Sequence, residues 1–298
     1  MCVLKQLDKS KIDKTRHFVE DISIDSTTVP LWEVNSLYGF VKLVGHAKFL
    51  NRSYGSVLLR GQCQNYASMK PAAYRDNSKD KADAVVEKMI SKLQDDKGLL
   101  TNNEKNIEGF MHCNDRLAYE AILQHYCYKT RLLDVLDNLW VALWFASHRR
   151  KNDSQLCFKK SKCKVFYEGN RYVESTEDYS YVYLIGVPDE RNDHNCEGVT
   201  KGAQHCLIDI RRACPSTILR PHMQHGMVIG FYDENQKFKK SYAEQIIAVV
   251  RIKTQTCLEW LKGSKTLTAK MLFPCPKYDE MYNMILDTRK DLFDSLEE

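Results

Sequence analysis

Seven consecutive residues, His125-Tyr126-Cys127-Tyr128-Lys129-Thr130-Arg131, hold two tyrosines, two cations and a hydroxyl beside a histidine. Histidine can act as a general base or as a plain hydrogen-bond donor. Tyrosine can stack on a ring while its hydroxyl donates. Such a set could bind a nucleotide or a sugar and move a proton. It could equally be a structural cluster capping the helix that follows, with Asp137 as N-cap. The residues alone leave both readings open.

Two further sets have suitable residue types. Arg60-Gly61-Gln62 closes the apolar run Ser56-Val57-Leu58-Leu59. The arginine fork suits a phosphate or carboxylate, and Gly61 would let backbone or ligand come close. The alternative is a strand-end arginine in a surface ion pair. Arg220-x-His222-x-Gln224-His225-Gly226 precedes another apolar run. Gln224 could hold a hydroxyl from a strand edge, or the segment could be a polar loop entering a strand.

These residues must be positioned by ordered elements. Leu139 to Ala146 is apolar at every position, and a helix apolar all round is buried. A polar turn pinned to a core helix is held rigid. Helical spacing marks residues 36–50 and 80–94, with 95–114 a polar loop, and a further amphipathic helix spans 278–296. Strands are expected at 56–59, 179–187, 207–210, 226–232 and 245–252, where β-branched and aromatic residues gather, with a short helix at 255–262. Helices come first and strands later, which reads as α+β and not as alternating βαβ units.

Composition narrows the class. Of 298 residues, 43% are hydrophobic and 28% charged, as in an ordinary globular protein. No apolar stretch approaches the ~18 residues of a membrane span, and the charged N-terminus is unlike a secretory signal. A cytoplasmic protein with no membrane contact is expected. Eleven cysteines include no C-x-x-C pair and read as reduced thiols. His194-x-Cys196, His205-Cys206 and the pair His222 and His225 fit no zinc spacing, so no metal is expected. Net charge is +5, and between Arg149 and Lys164 seven cations face a single acid, Asp153. That run could meet a phosphate backbone or be a solvated loop.

Taken together, the motifs resemble the FRG domain family, found mostly in bacterial and phage proteins. The Phe-Arg-Gly signature stands here as Leu59-Arg60-Gly61, followed by Gln62. The long motif "QHYGLPTRLLD" appears from Gln124 to Asp134, then an apolar helix runs to Ala146. "R-x-x-x-Q-x-G" is similar to Arg220 to Gly226, and "LFP" to Leu272-Phe273-Pro274. The likeness spans about 36–295. Leu59, Cys127, Lys129 and Val135 depart from the pattern; Arg60, His125, Tyr126, Thr130, Arg131 and Gln224 keep it. The order of Arg60, then Thr130 before a helix ending Ala142-Leu143-Trp144-Phe145-Ala146, then Gln224 is also similar to ADP-ribosyltransferases, a fold-level analogy.

The resemblance implies a mixed or antiparallel split β-sheet core with flanking helices. An N-terminal arm (1–35) would precede a single domain (36–298), with a basic insertion at 149–178. It implies NAD as substrate without a metal, and cleavage of the nicotinamide–ribose bond through an oxocarbenium-like cation. Arg60, His125, Tyr126 and Gln224 would carry catalysis. Arg60, Gly61, Gln62, Tyr126, Thr130 and Arg131 would bind the dinucleotide, Arg131 being paired with Asp134. Because a glutamine cannot act as a carboxylate base, His125, His225 or Glu244 would serve where a base is needed. The acceptor would be a nucleic acid met by 149–164, or a protein. A toxin or phage-defence effector held by an antitoxin or chaperone is the expected role. The alternatives are a non-catalytic nucleotide- or nucleic-acid-binding module, and a metal-independent ribonuclease using His125 and His222.

Overall fold

The computed structural model describes residues 3–10, 15–75, 84, 86–91, 115–126, 129–151, 172–189, 197–235, 237–264, 266–275, 278–279 and 281. The first ordered unit is a hairpin of β1 (Arg16–Ile24) and β2 (Thr27–Val34). Asp25 and Ser26 both have positive φ at its turn, as a tight primed turn requires. The Asp25 carboxylate ties that turn to the body, accepting from Met69 N at 2.7 Å and Ser241 Oγ at 2.6 Å. Residues 1–35, expected as an arm, thus supply two strands of the sheet. Arg16, His17, Glu20 and Asp21 keep the outer strand polar, which is how natural sheets blunt an exposed edge, and that hid its strand character.

Helix α1 (Leu37–Leu50) starts where Ser36 Oγ accepts from Gly39 N. Strand β3 (Gly55–Gln62) follows, then helix α2 (Arg116–His125), strand β4 (Leu133–Leu136) and helix α3 (Leu139–Ser147). Asn138, not Asp137, caps α3, accepting from Trp140 N and Val141 N; Asp137 is held by Arg211 instead. Two short strands, β5 (His148–Arg150) and β6 (Tyr172–Glu174), pair with each other. Next come β7 (Tyr179–Pro188), β8 (Val199–Lys201), β9 (His205–Asp209), α4 (Ile210–Ala213), α5 (Leu219–Gln224), β10 (Gly226–Phe231), β11 (Ile246–Lys253), α6 (Thr254–Leu261) and α7 (Ala269–Leu272).

The main sheet has nine strands in the order β1-β2-β11-β7-β3-β4-β10-β9-β8. Its neighbours are antiparallel except β2 and β11, which run parallel, so it is a mixed sheet in an α+β fold. β3 and β4 meet through one pair of partners, Leu59 and Leu136. The sheet therefore parts beyond that pair, and the opening is where the candidate site lies. On one face α1, α3 and α6 bury Phe40, Leu43, Val141, Leu143 and Cys257 against Val57, Leu59, Val182 and Val250. α3 rests directly on β3, since a Cβ on Gly61 would come within 2.0 Å of Ala142 O. A second core forms around α2, where Tyr119, Ile122 and Leu123 meet Ile208 and Val228.

Several boundaries shift. β3 runs through Arg60-Gly61-Gln62 instead of stopping at Leu59. The segment before β10, expected as a loop, is helix α5, closed by His225 in the left-handed region at φ 53°. Of the helix expected at 80–94, residues 86–91 are helical, with Val86, Met89 and Ile90 buried. The loop expected at 95–114, most of the basic run (152–164), and the terminal helix beyond 281 lie outside the described residues. Among the described residues no helix is long and apolar enough to cross a membrane.

Candidate active site

A cleft of about 440 Å³ opens where β3 and β4 part. β3 contributes Arg60 and Gly61, and α2 contributes Gln124 and His125. β4 contributes Asp134 and Leu136, and α5 contributes Arg220 and Gln224. Phe145, Tyr172 and Phe273 form an apolar wall, and Ala72, Arg75, Lys129 and Arg150 complete the lining. Among the described residues the lining holds five cations and one carboxylate, a set that favours an anionic ligand.

Arg60 is half-buried in the floor. Its Nη1 donates to Asp134 O at 2.8 Å and lies 3.8 Å from Asp134 Oδ2. Its buried Nε has no hydrogen-bond partner among the described residues. Burial holds this guanidinium below its ordinary pKa, with Asp134 pulling it back up. A buried donor left unmade costs roughly 1–3 kcal/mol, so a ligand oxygen there would relieve a standing penalty.

His125 is the sharper case. Its side chain is 4% exposed, and neither ring nitrogen makes a well-aligned hydrogen bond among the described residues, although the Gln224 side chain acts on the ring as a hydrogen-bonding group. Burial drives its pKa down to about 4, against the pull of Asp134, with Arg220 adding to the fall. The ring is therefore neutral at pH 7, one nitrogen a donor and the other an acceptor. Asp134 Oδ1 stands 3.9 Å from Nε2. Gly226 makes room for the ring, because a Cβ there would sit 2.3 Å from His125 Cε1. That explains the glycine at the end of the Arg220 to Gly226 element.

The rest of the long motif holds these groups in place. Thr130 Oγ1 donates to Gln124 Oε1, and Gln124 Nε2 donates to Asp134 Oδ2 at 3.0 Å. Asp134, with Arg60 Nη1 3.8 Å from the same oxygen, is fixed at the cleft. Gln224 Nε2 donates to Leu272 O at 2.7 Å, so the Leu272-Phe273-Pro274 element anchors Gln224 and presents Phe273 to the wall. Arg220 lies over Phe273 at 4.7 Å and Tyr126 at 5.4 Å. Its backbone N donates to the buried Asp279 at 2.9 Å.

Other expected site residues go elsewhere. Tyr126 is 2% exposed and donates to both oxygens of Asp279, at 2.7 and 2.8 Å, behind Arg220. Burial beside that carboxylate raises its pKa. Arg131 pairs with Glu120, not with Asp134: its Nη2 is 2.5 Å from Glu120 Oε2, and it lies over Phe238. Thr130 is buried and serves Gln124. Gln62 does not reach the cleft lining, and Gly61 is needed for the approach of α3. His222 faces Pro215 O at 3.3 Å, His225 meets Arg211, and Glu244 pairs with Lys239. None of these three lines the cleft. Asp134, Gln124, Arg75 and the aromatic wall were missed as site residues, since only the folded sheet gathers them; Lys129 and Arg150 stood in the polar cluster and the basic run but were not expected to line this cleft. Arg220 was legible as the first residue of its motif. Among the described residues no group of three His, Cys, Asp or Glu could hold a metal ion.

Fold and site together define an α+β protein with a cationic cleft at a parting of its sheet. Residues 55–155 match the FRG domain family, a span that includes Arg60, His125 and Asp134, while Arg220, Gln224 and Phe273 come from beyond it. No curated protein matches the chain, and no solved structure matches it.

Proposed function

We propose that the cleft binds NAD as a substrate and transfers its ADP-ribosyl group. The observation that supports this best is the meeting of two arginines, a neutral buried histidine and one carboxylate at a single floor. Arg60 and Arg220 bring planar donor forks suited to the two phosphates of a dinucleotide. The apolar wall of Phe145, Tyr172 and Phe273 suits a flat ring.

The chemistry asked of the site is cleavage of a ribose–nicotinamide bond. The C1′–N bond breaks and its electron pair leaves with nicotinamide, which becomes neutral. Positive charge grows on C1′ and the ring oxygen. Asp134 is the carboxylate lining the cleft that can face that charge, a role Gln224 cannot fill because its amide is neutral and its nitrogen is bound to Leu272 O. The acceptor atom then bonds C1′ and loses its proton to the neutral imidazole of His125, with Asp134 nearby to balance the imidazolium. Positioning and fixed dipoles supply most of the rate.

The test is release of nicotinamide from NAD, followed by chromatography, with mass analysis for one added ADP-ribose. Release by the wild type and its loss in Arg60→Ala and Asp134→Asn are expected. Background-level release by the folded wild type would overturn the reading. In a cell, expression of an active transferase is expected to arrest growth, as a toxin or defence effector would, and Arg60→Ala to relieve it.

One observation favours a second reading. Asp134 already accepts from Gln124 and adjoins Arg60, which suits a nucleotide-binding module that turns nothing over. Tight NAD binding with no nicotinamide release would select it. A nuclease pairing His125 with His222 is disfavoured, because His222 lies off the cleft.

A further inference from the structure

We propose that Asp279 is a positioning residue of the cleft: from behind the lining it joins α5 to the end of α2, and so sets where the Arg220 fork stands to meet a ligand's phosphates. The use of that fork for a dinucleotide rests on the transferase reading; the grip on α5 does not.

Asp279 belongs to none of the sequence motifs, lies outside the residues that match the family, and does not line the cleft. It is nevertheless 1% exposed, and a carboxylate is rarely buried without donors to meet it. Its donors come from two elements distant in the chain. Tyr126 Oη donates to Oδ1 at 2.7 Å and to Oδ2 at 2.8 Å. Arg220 N donates to Oδ2 at 2.9 Å. Tyr126 follows His125 directly and caps the C-terminal end of α2. Arg220 is the second residue of α5. One carboxylate thus ties the helix end that carries His125 to the helix start that carries Arg220.

α5 requires such a partner. The first turn of a helix leaves its N–H groups without intrahelical acceptors. Ile218 at the N-cap makes no side-chain hydrogen bond, and Pro221 has no N–H to satisfy. The Arg220 N–H goes to Asp279 instead, a cap supplied from 59 residues away. At the other end of α5, Gln224 Nε2 donates to Leu272 O at 2.7 Å. Leu272 and Asp279 therefore grip α5 at its two ends, and Phe273 packs against the Arg220 guanidinium at 4.7 Å. With six residues, α5 is too short to hold its own shape in water. Its placement, and that of both side chains it sends into the cleft, comes from these contacts.

A planar fork that must meet phosphate oxygens tolerates little drift. Arg220 also bears on His125, whose pKa it helps to lower. Both effects depend on where Arg220 stands, and Asp279 fixes its backbone.

The experiment is a double-mutant cycle on the full chain, with calorimetric titration of NAD and, separately, of inorganic pyrophosphate. Asp279→Ala is expected to weaken both by about tenfold or more, since a misplacement of about 1 Å can cost that much. In an Arg220→Met background the same change is expected to cost nothing further, because its effect runs through Arg220. Asp279→Asn keeps an oxygen for Arg220 N and is expected to restore most of the binding. Hydrogen exchange of the ligand-free chain reads the grip itself: Asp279→Ala is expected to speed exchange across 219–224 while β11 stays protected. Unchanged exchange there, an equal loss of affinity with and without Arg220, or an asparagine variant as weak as the alanine one would overturn the proposal. Should the alanine protein fail to fold, Tyr126→Phe carries the same test: a smaller loss that vanishes in Arg220→Met is expected, and an equal loss in both backgrounds overturns it. Pyrophosphate binding coupled to Asp279 without NAD binding would remove the transferase reading and leave this one standing. NAD binding indifferent to Asp279→Ala would do the reverse, and binding of neither probe by the wild type would overturn both.

Discussion

Two arginines illustrate two fates of a buried charge. Arg131 and Glu120 form a finished pair: three donors of Arg131, including its backbone N, reach the carboxylate, and Glu120 is 1% exposed. Arg60 is unfinished. It holds a backbone carbonyl with one nitrogen, keeps Nε unpartnered among the described residues, and lies in the same floor as His125, whose ring makes no well-aligned hydrogen bond among the described residues and has the Gln224 side chain beside it. Arg131 and His125 both belong to the long motif, yet one completes the fold and the other leaves hydrogen-bonding capacity open to the cleft. Completed polar groups stabilise the chain; open ones cost stability and await a ligand.

The comparison can be broken most severely at the finished pair. Glu120→Ala leaves Arg131 without its partner, and losing one member of a buried pair costs about 3–5 kcal/mol. Urea denaturation is expected to show that loss. A loss below about 1 kcal/mol would mean the pair contributes no more than a surface ion pair does.

The unfinished side should show in the pH dependence. The His125 pKa falls from an unfolded value of about 6.5 to about 4 in the folded chain. Between those values the unfolded chain binds more protons, so stability rises with pH from about 4 to 6.5 and is lost as pH falls through that window. The size is on the order of 3 kcal/mol. His125→Asn is expected to remove this slope in denaturation curves taken across the window; an unchanged slope would place its origin elsewhere. Nicotinamide release should fall in the wild type as pH drops toward 4 and His125 gains its proton.

A smaller effect separates binding from folding. Arg60→Gln removes a charged donor from the floor and is expected to weaken NAD binding by about 1.5–3 kcal/mol. Its unfolding free energy should move by less than that, because the lost burial penalty offsets the lost bond to Asp134 O. Smaller still, Thr130→Val removes one hydrogen bond to Gln124 and should cost about 1 kcal/mol of stability, measured in urea. A loss of NAD binding larger than its loss of stability would show that Thr130 acts on the ligand and not through Gln124.

Much of the fold was legible in runs of apolar and β-branched residues. β7, β10 and β11 are buried almost throughout, so their composition carries the signal. β1 was not legible, because an edge strand kept polar lacks alternation, and in its partner β2 the run is interrupted by Pro30. The partner of Arg131 was misread for a geometric reason. Residues three apart in extended chain face opposite sides, so Asp134 turns to the cleft while Arg131 turns to Glu120. Tyr126 was misread likewise: at the end of α2 it follows His125 by one position, about 100° around the helix axis, and points to Asp279. Arg75 carries no local pattern, while Lys129 belongs to the polar cluster and Arg150 to the basic run. They become a set only when three distant segments meet at one opening.

The most direct measurement is a calorimetric titration of the folded wild type and of Arg60→Gln with NAD. Binding by the wild type, weakened at least tenfold in the variant, is the expected result and corresponds to a loss of about 1.4 kcal/mol or more. No heat of binding in the wild type, or equal affinity in the two proteins, would contradict the claim that the open donors of this cleft are held for a nucleotide.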